Sequence, residues 1–124
     1  MYILCLGGQG EDSDKFLPMI ARLWRGATPI EKAEEYQRYV AETGIRAYRA
    51  TPGNRGAWIL HREVGTRTEF LVLSMWDSWD AIRRFAGDDV ERAVFYPRDD
   101  EFLIERDLEV VHFEVADDER SENG

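Results

Sequence analysis

The sequence predicts an α+β domain in the order βαββαβ, the ferredoxin-like arrangement of a four-stranded antiparallel sheet with two helices packed on one face. Three observations carry this prediction. β-Rich stretches recur near residues 19–25, 57–64, 69–76 and 108–115. Helix start and stop signals lie between the first and second stretches and again between the third and fourth. The two middle stretches are joined tightly enough to form a hairpin.

The first strand is expected over Met19–Arg25, where Ile20, Arg22 and Trp24 alternate with Met19, Ala21 and Leu23. Thr28-Pro29-Ile30-Glu31 has the spacing of a capping box with proline at the first helical position, and Gly44 is a C-terminal stop. The first helix should therefore run from about 29 to 42, with Ile30, Ala33, Tyr36 and Val40 as its core stripe. Ala57–Val64 and Glu69–Trp76 read as strands joined across Gly65-Thr66. Asp77 or Ser78 caps a second helix that runs through Ala86 and ends at Gly87. Asp88-Asp89-Val90-Glu91 starts a further helical turn that Pro97 stops, and Leu108–Val115 alternates as the last strand. In the expected sheet order 4-1-3-2, the third strand Phe70–Trp76 is apolar on both faces, whereas two helices cover only one. A second copy of the chain is the simplest cover for the other face, and two sheets packed in this way would enclose a cavity.

A chain of 124 residues suits one domain with a single core. The expected boundaries are a flexible arm over 1–17, the domain over 18–116 and an acidic tail over 117–124. A net charge of -9 repels phosphate backbones and anionic membranes, and the arginines are interspersed with acids rather than gathered in a patch. No apolar run is long enough to span a bilayer. Cys5 is the only cysteine, so neither an internal disulfide nor a multi-cysteine metal site can form, and a reducing, cytoplasmic setting fits. The short apolar opening Met1–Leu6 lacks the basic flank of an export signal. Gly7-Gly8-Gln9-Gly10 falls short of a nucleotide-binding loop, because Ser13 stands where the third glycine belongs and acids surround it.

Few residues remain that carry chemistry. With the first strand flanked by the third and fourth, Arg22, Ser74 and His112 fall in one row across the sheet, and Trp24 and Trp76 lie beside them. Histidine at that place would take a phenolic proton, arginine would hold the resulting anion, and the tryptophans would stack on an aromatic ring. The competing explanation is structural: tryptophans as core or interface filler, Arg22 in an ion pair and His112 as a solvated edge residue. No metal site is expected, since His61 and His112 lie on opposite sheet edges, about 14 Å apart. The acid pairs Asp88-Asp89 and Asp99-Asp100 fall at helix starts or turns, where capping accounts for them.

Met19–Gly26, Thr51–Gly56, Ser74-Met75-Trp76-Asp77-Ser78 and Val111–Val115 resemble segments of the small bacterial proteins labelled antibiotic biosynthesis monooxygenases. The resemblance spans about residues 18 to 116 and implies a dimeric α/β barrel, hence a homodimer with a small apolar or aromatic ligand in its cavity. The cofactor-free oxygenases of that family surround a phenolic substrate with an asparagine, a tryptophan, a tyrosine and an arginine. These positions fall on Val72, Trp76, Ile82 and near Tyr96, so the tryptophan alone is retained. The haem-degrading relatives use an asparagine, a tryptophan and a histidine that fall on Ala21, Phe85 and Phe95, and none is kept. Two functions follow as expectations. One is a cofactor-independent monooxygenase acting on an electron-rich phenol or quinol, with Arg22 and His112 as catalytic residues and Trp24, Ser74, Trp76 and Tyr96 contacting substrate. The other is a non-catalytic dimeric domain that binds a small ligand.

Overall fold

A computed structural model describes residues 18–118 of the chain. Expectations for residues 1–17, including the glycine-rich stretch, and for the tail beyond Asp118 lie outside the described residues. Strand β1 (Ile20–Pro29) pairs antiparallel with β3 (Arg67–Trp76), and β3 pairs with β2 (Asn54–Val64) through a hairpin turning at Gly65-Thr66. Gly65 takes φ 63°, a left-handed conformation that glycine enters without steric cost. Along the other edge of β1 run β4 (Glu105–Arg106) and β5 (Val111–Glu114). The sheet order is the expected one, but five strands replace four.

The strand expected over Leu108–Val115 forms only over Val111–Glu114, and a short strand that the sequence did not suggest, β4, precedes it. Between the two the backbone turns to other partners: Ala93 N–H donates to the Leu108 carbonyl, and Val110 N–H donates to the Glu91 carbonyl. The Trp24 indole N–H takes the Asp107 carbonyl at 2.8 Å. Period two in the sequence registers the extended backbone but not which neighbour receives its hydrogen bonds.

The first helical segment also departs from expectation. Thr28 is not a helix cap, because β1 continues to Pro29, which pairs with Arg67, and the Thr28 hydroxyl donates to the Pro29 carbonyl. A 3-10 turn at Ile30–Lys32 leads into α1 (Ala33–Val40), a π-helical turn (Ala41–Ile45) and α2 (Arg46–Ala50), so the helical path passes through Gly44. Four residues of an α-helix overshoot one turn by about 40°. The wider π turn absorbs that drift and brings Tyr36, Val40, Gly44 and Tyr48, each four apart, to one cavity wall. Helix α3 (Trp79–Ala86) follows expectation: the Ser78 side chain accepts from Ala81 N–H at 3.1 Å, and Gly87 ends it at φ 86°. The helical turn expected at Asp88–Glu91 is absent. Residues 87–98 are irregular, and α4 (Asp99–Phe102) forms only after Pro97.

The helices lie on the sheet face that carries Ile20, Arg22, Trp24, Phe70, Val72, Ser74 and Trp76, all buried. Strand β3 alternates fully buried with partly exposed residues throughout, and its second apolar row, Leu71, Leu73 and Met75, belongs to the opposite face. That face continues through Trp58, Leu60, Val111 and Phe113, which are 44% to 54% exposed. Among the described residues no helix is long and apolar enough to cross a membrane.

Candidate functional site

A cavity lies between the sheet and the helices. Its volume is about 40 Å³, room for two or three waters. Arg22, Trp24 and Val72 form its floor. Tyr36 and Tyr48 line one side, and the irregular segment with Phe95 and Tyr96 lines the other.

The row foreseen across the sheet is present in the register: Arg22 lies opposite Ser74 on β3 and opposite His112 on β5. Arg22 is 1% exposed. Its Nη1 donates to the Val90 carbonyl at 2.6 Å and contacts His112 Nε2 at 3.1 Å, and Nη2 donates to the Arg92 carbonyl at 3.1 Å. One side chain thereby ties the irregular segment to the sheet. The guanidinium also lies 5.7 Å from the Phe85 ring. Among the described residues Arg22 forms no ion pair, and its Nε–H has no hydrogen-bond partner. Burial draws its pKa below the ordinary value, yet arginine stays charged. A buried cation without a counter-ion costs several kcal/mol.

An arginine has only donors, so His112 Nε2 must accept from Nη1 and the ring must be neutral. Burial, then the Arg22 charge, lowers the His112 pKa to about 4, which agrees. The ring packs edge-on against Trp79 at 4.9 Å.

The remaining expected residues divide between wall and support. Trp24 and Tyr96 line the cavity, and burial pushes the Tyr96 hydroxyl up to about 12. Trp76 is wholly buried, its indole N–H bonded to Ser74 Oγ at 2.8 Å, so both stand behind the wall. In front of them is Tyr48, which packs edge-on to Trp76 at 5.6 Å and to Phe85 at 4.5 Å, with its hydroxyl beside Arg22 and Ser74. Burial raises the Tyr48 pKa and the arginine opposes it. Sequence reasoning missed Tyr48 because Gly44 was read as the helix end; the four-residue spacing from Tyr36 was the available signal. It also missed Asp99, assigned to capping, which lines the same cavity. His61 lies on the far sheet edge against Phe70. Among the described residues no group of three or more His, Cys, Asp or Glu is placed to hold a metal.

No protein-family profile matches the sequence, and no curated protein matches it. Solved structures do. A Bacillus cereus protein provisionally described as an antibiotic biosynthesis monooxygenase superposes with a TM-score of 0.59 at 14% identity, covering 84% of this chain and 99% of that one. The haem-degrading protein of Mycobacterium tuberculosis matches in its haem-free form with a TM-score of 0.56 at 20% identity, covering 82% and 99%. With two haems bound in its active site, the same protein matches at 0.54 and 20%, covering 83% and 100%. Coverage of those chains is essentially complete, while identity is low enough that the likeness concerns architecture. The chain has the ferredoxin-like α+β fold of the antibiotic biosynthesis monooxygenase family.

Proposed function

We propose that the chain is a cofactor-independent monooxygenase, acting as a homodimer on an electron-rich small aromatic of the phenol or quinol type. The observation that carries this reading is Arg22, a buried guanidinium on a cavity wall with no counter-ion among the described residues and an unused Nε–H. A phenolate oxygen at that place would satisfy both the charge and the donor. Trp24 and Tyr96 would flank the ring, and Ser74 and Trp76 would fix Tyr48 beside the oxyanion. His112 acts in this scheme as a positioning residue, because its Nε2 lone pair is committed to Arg22 and its pKa is about 4. Arg22 itself lowers the phenol pKa by stabilising the anion. The phenolate then reduces dioxygen: one oxygen atom is inserted at a ring C–H and the other leaves as water, taking two hydrogens of which at least one is phenolic, and the substrate becomes a quinone.

Haem is not part of this proposal, because the residues do not fit it. Phe85 and Phe95 line the cavity without a ligating atom, and burial raises the pKa of Tyr36, Tyr48 and Tyr96 and disfavours tyrosinate. A single cysteine suits a reducing, cytoplasmic setting.

Oxygen uptake with 1,4-dihydroxybenzene and 1,4-dihydroxynaphthalene tests the reading. Protein-dependent uptake that is lost in Arg22→Gln is the expected result. A second reading, a non-catalytic ligand-binding dimer, is favoured by the one fact that His112 is engaged and offers no base at neutral pH. Arg22-dependent binding without oxygen uptake would select it.

A further inference from the structure

Arg22 is not the only unpaired charge on this cavity. Asp99 is 5% exposed and lines the same space. Its Oδ2 accepts from Tyr96 N–H at 2.7 Å, and among the described residues no cation lies within ion-pair distance of it. Arg106, whose charge acts on Asp99, is bonded to Asp100 instead. Burial raises the Asp99 pKa, and the Tyr96 amide and Arg106 oppose the rise only partly. Capping the turn at Tyr96 explains one carboxylate oxygen. An asparagine or serine would cap equally well without burying a charge.

The two charges do not neutralise one another. Arg22 belongs to the stretch of β1 opposite Ser74 and His112, while Asp99 feels Arg106, which pairs with Gly26 four residues further along. Four residues of strand span about 13 Å. The wall between is aromatic: Trp24 and Phe95 meet edge-on at 6.3 Å, with Tyr36 and Tyr48 across from them. A guanidinium toward one end and a carboxylate toward the other define a polarity for whatever lies between.

The donor count at Arg22 sharpens this. Of its five N–H groups, two on Nη1 serve Val90 and His112 and one on Nη2 serves Arg92. The Nε–H remains without a partner, and the Tyr48 hydroxyl lies beside the guanidinium, so an oxyanion there would meet two donors. Asp99 retains an oxygen that accepts.

We propose that Asp99 is a specificity-determining contact: the cavity takes a single-ring aromatic that places an oxyanion at Arg22 and a hydrogen-bond donor at Asp99, and it rejects ligands anionic at both ends. This rests on the reading of Arg22 as the ligand anchor and adds what the opposite end must carry. With a cavity this small, a ring enters when the half-exposed side chains of the irregular segment move aside.

Three benzoates, which do not react with oxygen, separate the outcomes by isothermal titration calorimetry at pH 7. 4-Hydroxybenzoate presents a carboxylate and a donor, 4-methylbenzoate replaces the donor with a methyl of similar size, and benzene-1,4-dicarboxylate is anionic at both ends. The expected order is 4-hydroxybenzoate at least about tenfold tighter than 4-methylbenzoate, with the dicarboxylate weakest. In Asp99→Asn, which keeps an acceptor for the Tyr96 amide, the ratio of the first two falls toward one. Equal affinities for the hydroxy and methyl compounds, or a dicarboxylate that binds as well as 4-hydroxybenzoate, overturns the role of Asp99 alone. Binding indifferent to Arg22→Gln, or no binding at all, overturns the anchor and this inference with it. If Asp99→Asn fails to fold, the three-ligand order on the natural sequence decides.

Discussion

His112 is where the chemistry of a single residue can be read most directly. Above pH 6.5 the ring is neutral in folded and unfolded chains alike. Between about 6.5 and about 4 the unfolded chain takes up a proton that the folded chain refuses, so stability falls as pH falls across that window. The site is half-buried, and solvent screening reduces the effect to on the order of 1 kcal/mol. The expected outcome is that the natural protein loses several degrees of Tm relative to His112→Gln between pH 6.5 and 4; a constant difference would mean that the ring titrates normally. Arg22→Lys is expected to act twice. Lysine cannot reach Val90, Arg92 and His112 together, so the irregular segment loosens and stability drops by about 1 to 3 kcal/mol in denaturant titrations, while ligand affinity falls with the loss of the fork. The row of Arg22, Ser74 and His112 was legible because period two assigns a face and strand order assigns neighbours. The contacts of Arg22 with Val90 and Arg92 were not, because they depend on a loop with no period.

At the scale of elements, the strands and α3 were legible, and the places where reading failed share a cause. Gly44 and the capping-box spacing at Thr28 are local signals, and each was overridden by tertiary pairing: β1 continues while Arg67 remains opposite, and the helix continues while Tyr48 has the cavity wall to pack into. Ser78 shows the local rule operating unopposed. Ser78→Ala is expected to cost about 1 kcal/mol, visible as a fall of a few degrees in Tm. Gly26 tests the division of the edge strand. An added Cβ there would come within 2.4 Å of the Trp24 ring, and that indole bonds Asp107 where β4 ends. Gly26→Ala should displace the indole and destabilise by about 1 to 3 kcal/mol, with a change in near-ultraviolet circular dichroism reporting the tryptophan. An unchanged spectrum would mean that the ring is not held there.

For the whole molecule, the sequence pointed to an uncovered sheet face through β3, and the face is larger than one strand suggested. Trp58, Leu60, Leu71, Leu73, Met75, Val111 and Phe113 share it, and the large members at its edges are about half exposed. Water against such a surface is costly, at roughly 25 cal/mol for each Å² of apolar area. The lower end of the same face is closed by charge: Arg25 contacts Glu69, Glu105 and Asp107 at 3.2 to 3.4 Å, and Arg62 and Arg67 extend the network. An apolar field bounded on one side by ion pairs specifies a register for self-pairing, because a shifted copy would bury those charges against leucine and tryptophan. Sedimentation equilibrium at micromolar concentration is therefore expected to report twice the 14.4 kDa chain mass. Leu73→Glu places a carboxylate at the middle of the field and faces away from the protomer's own helices, so it should yield a folded monomer with the circular dichroism of the natural chain. A natural chain that sediments as a monomer, or a Leu73→Glu variant that remains dimeric, would mean that this face is not where two copies meet.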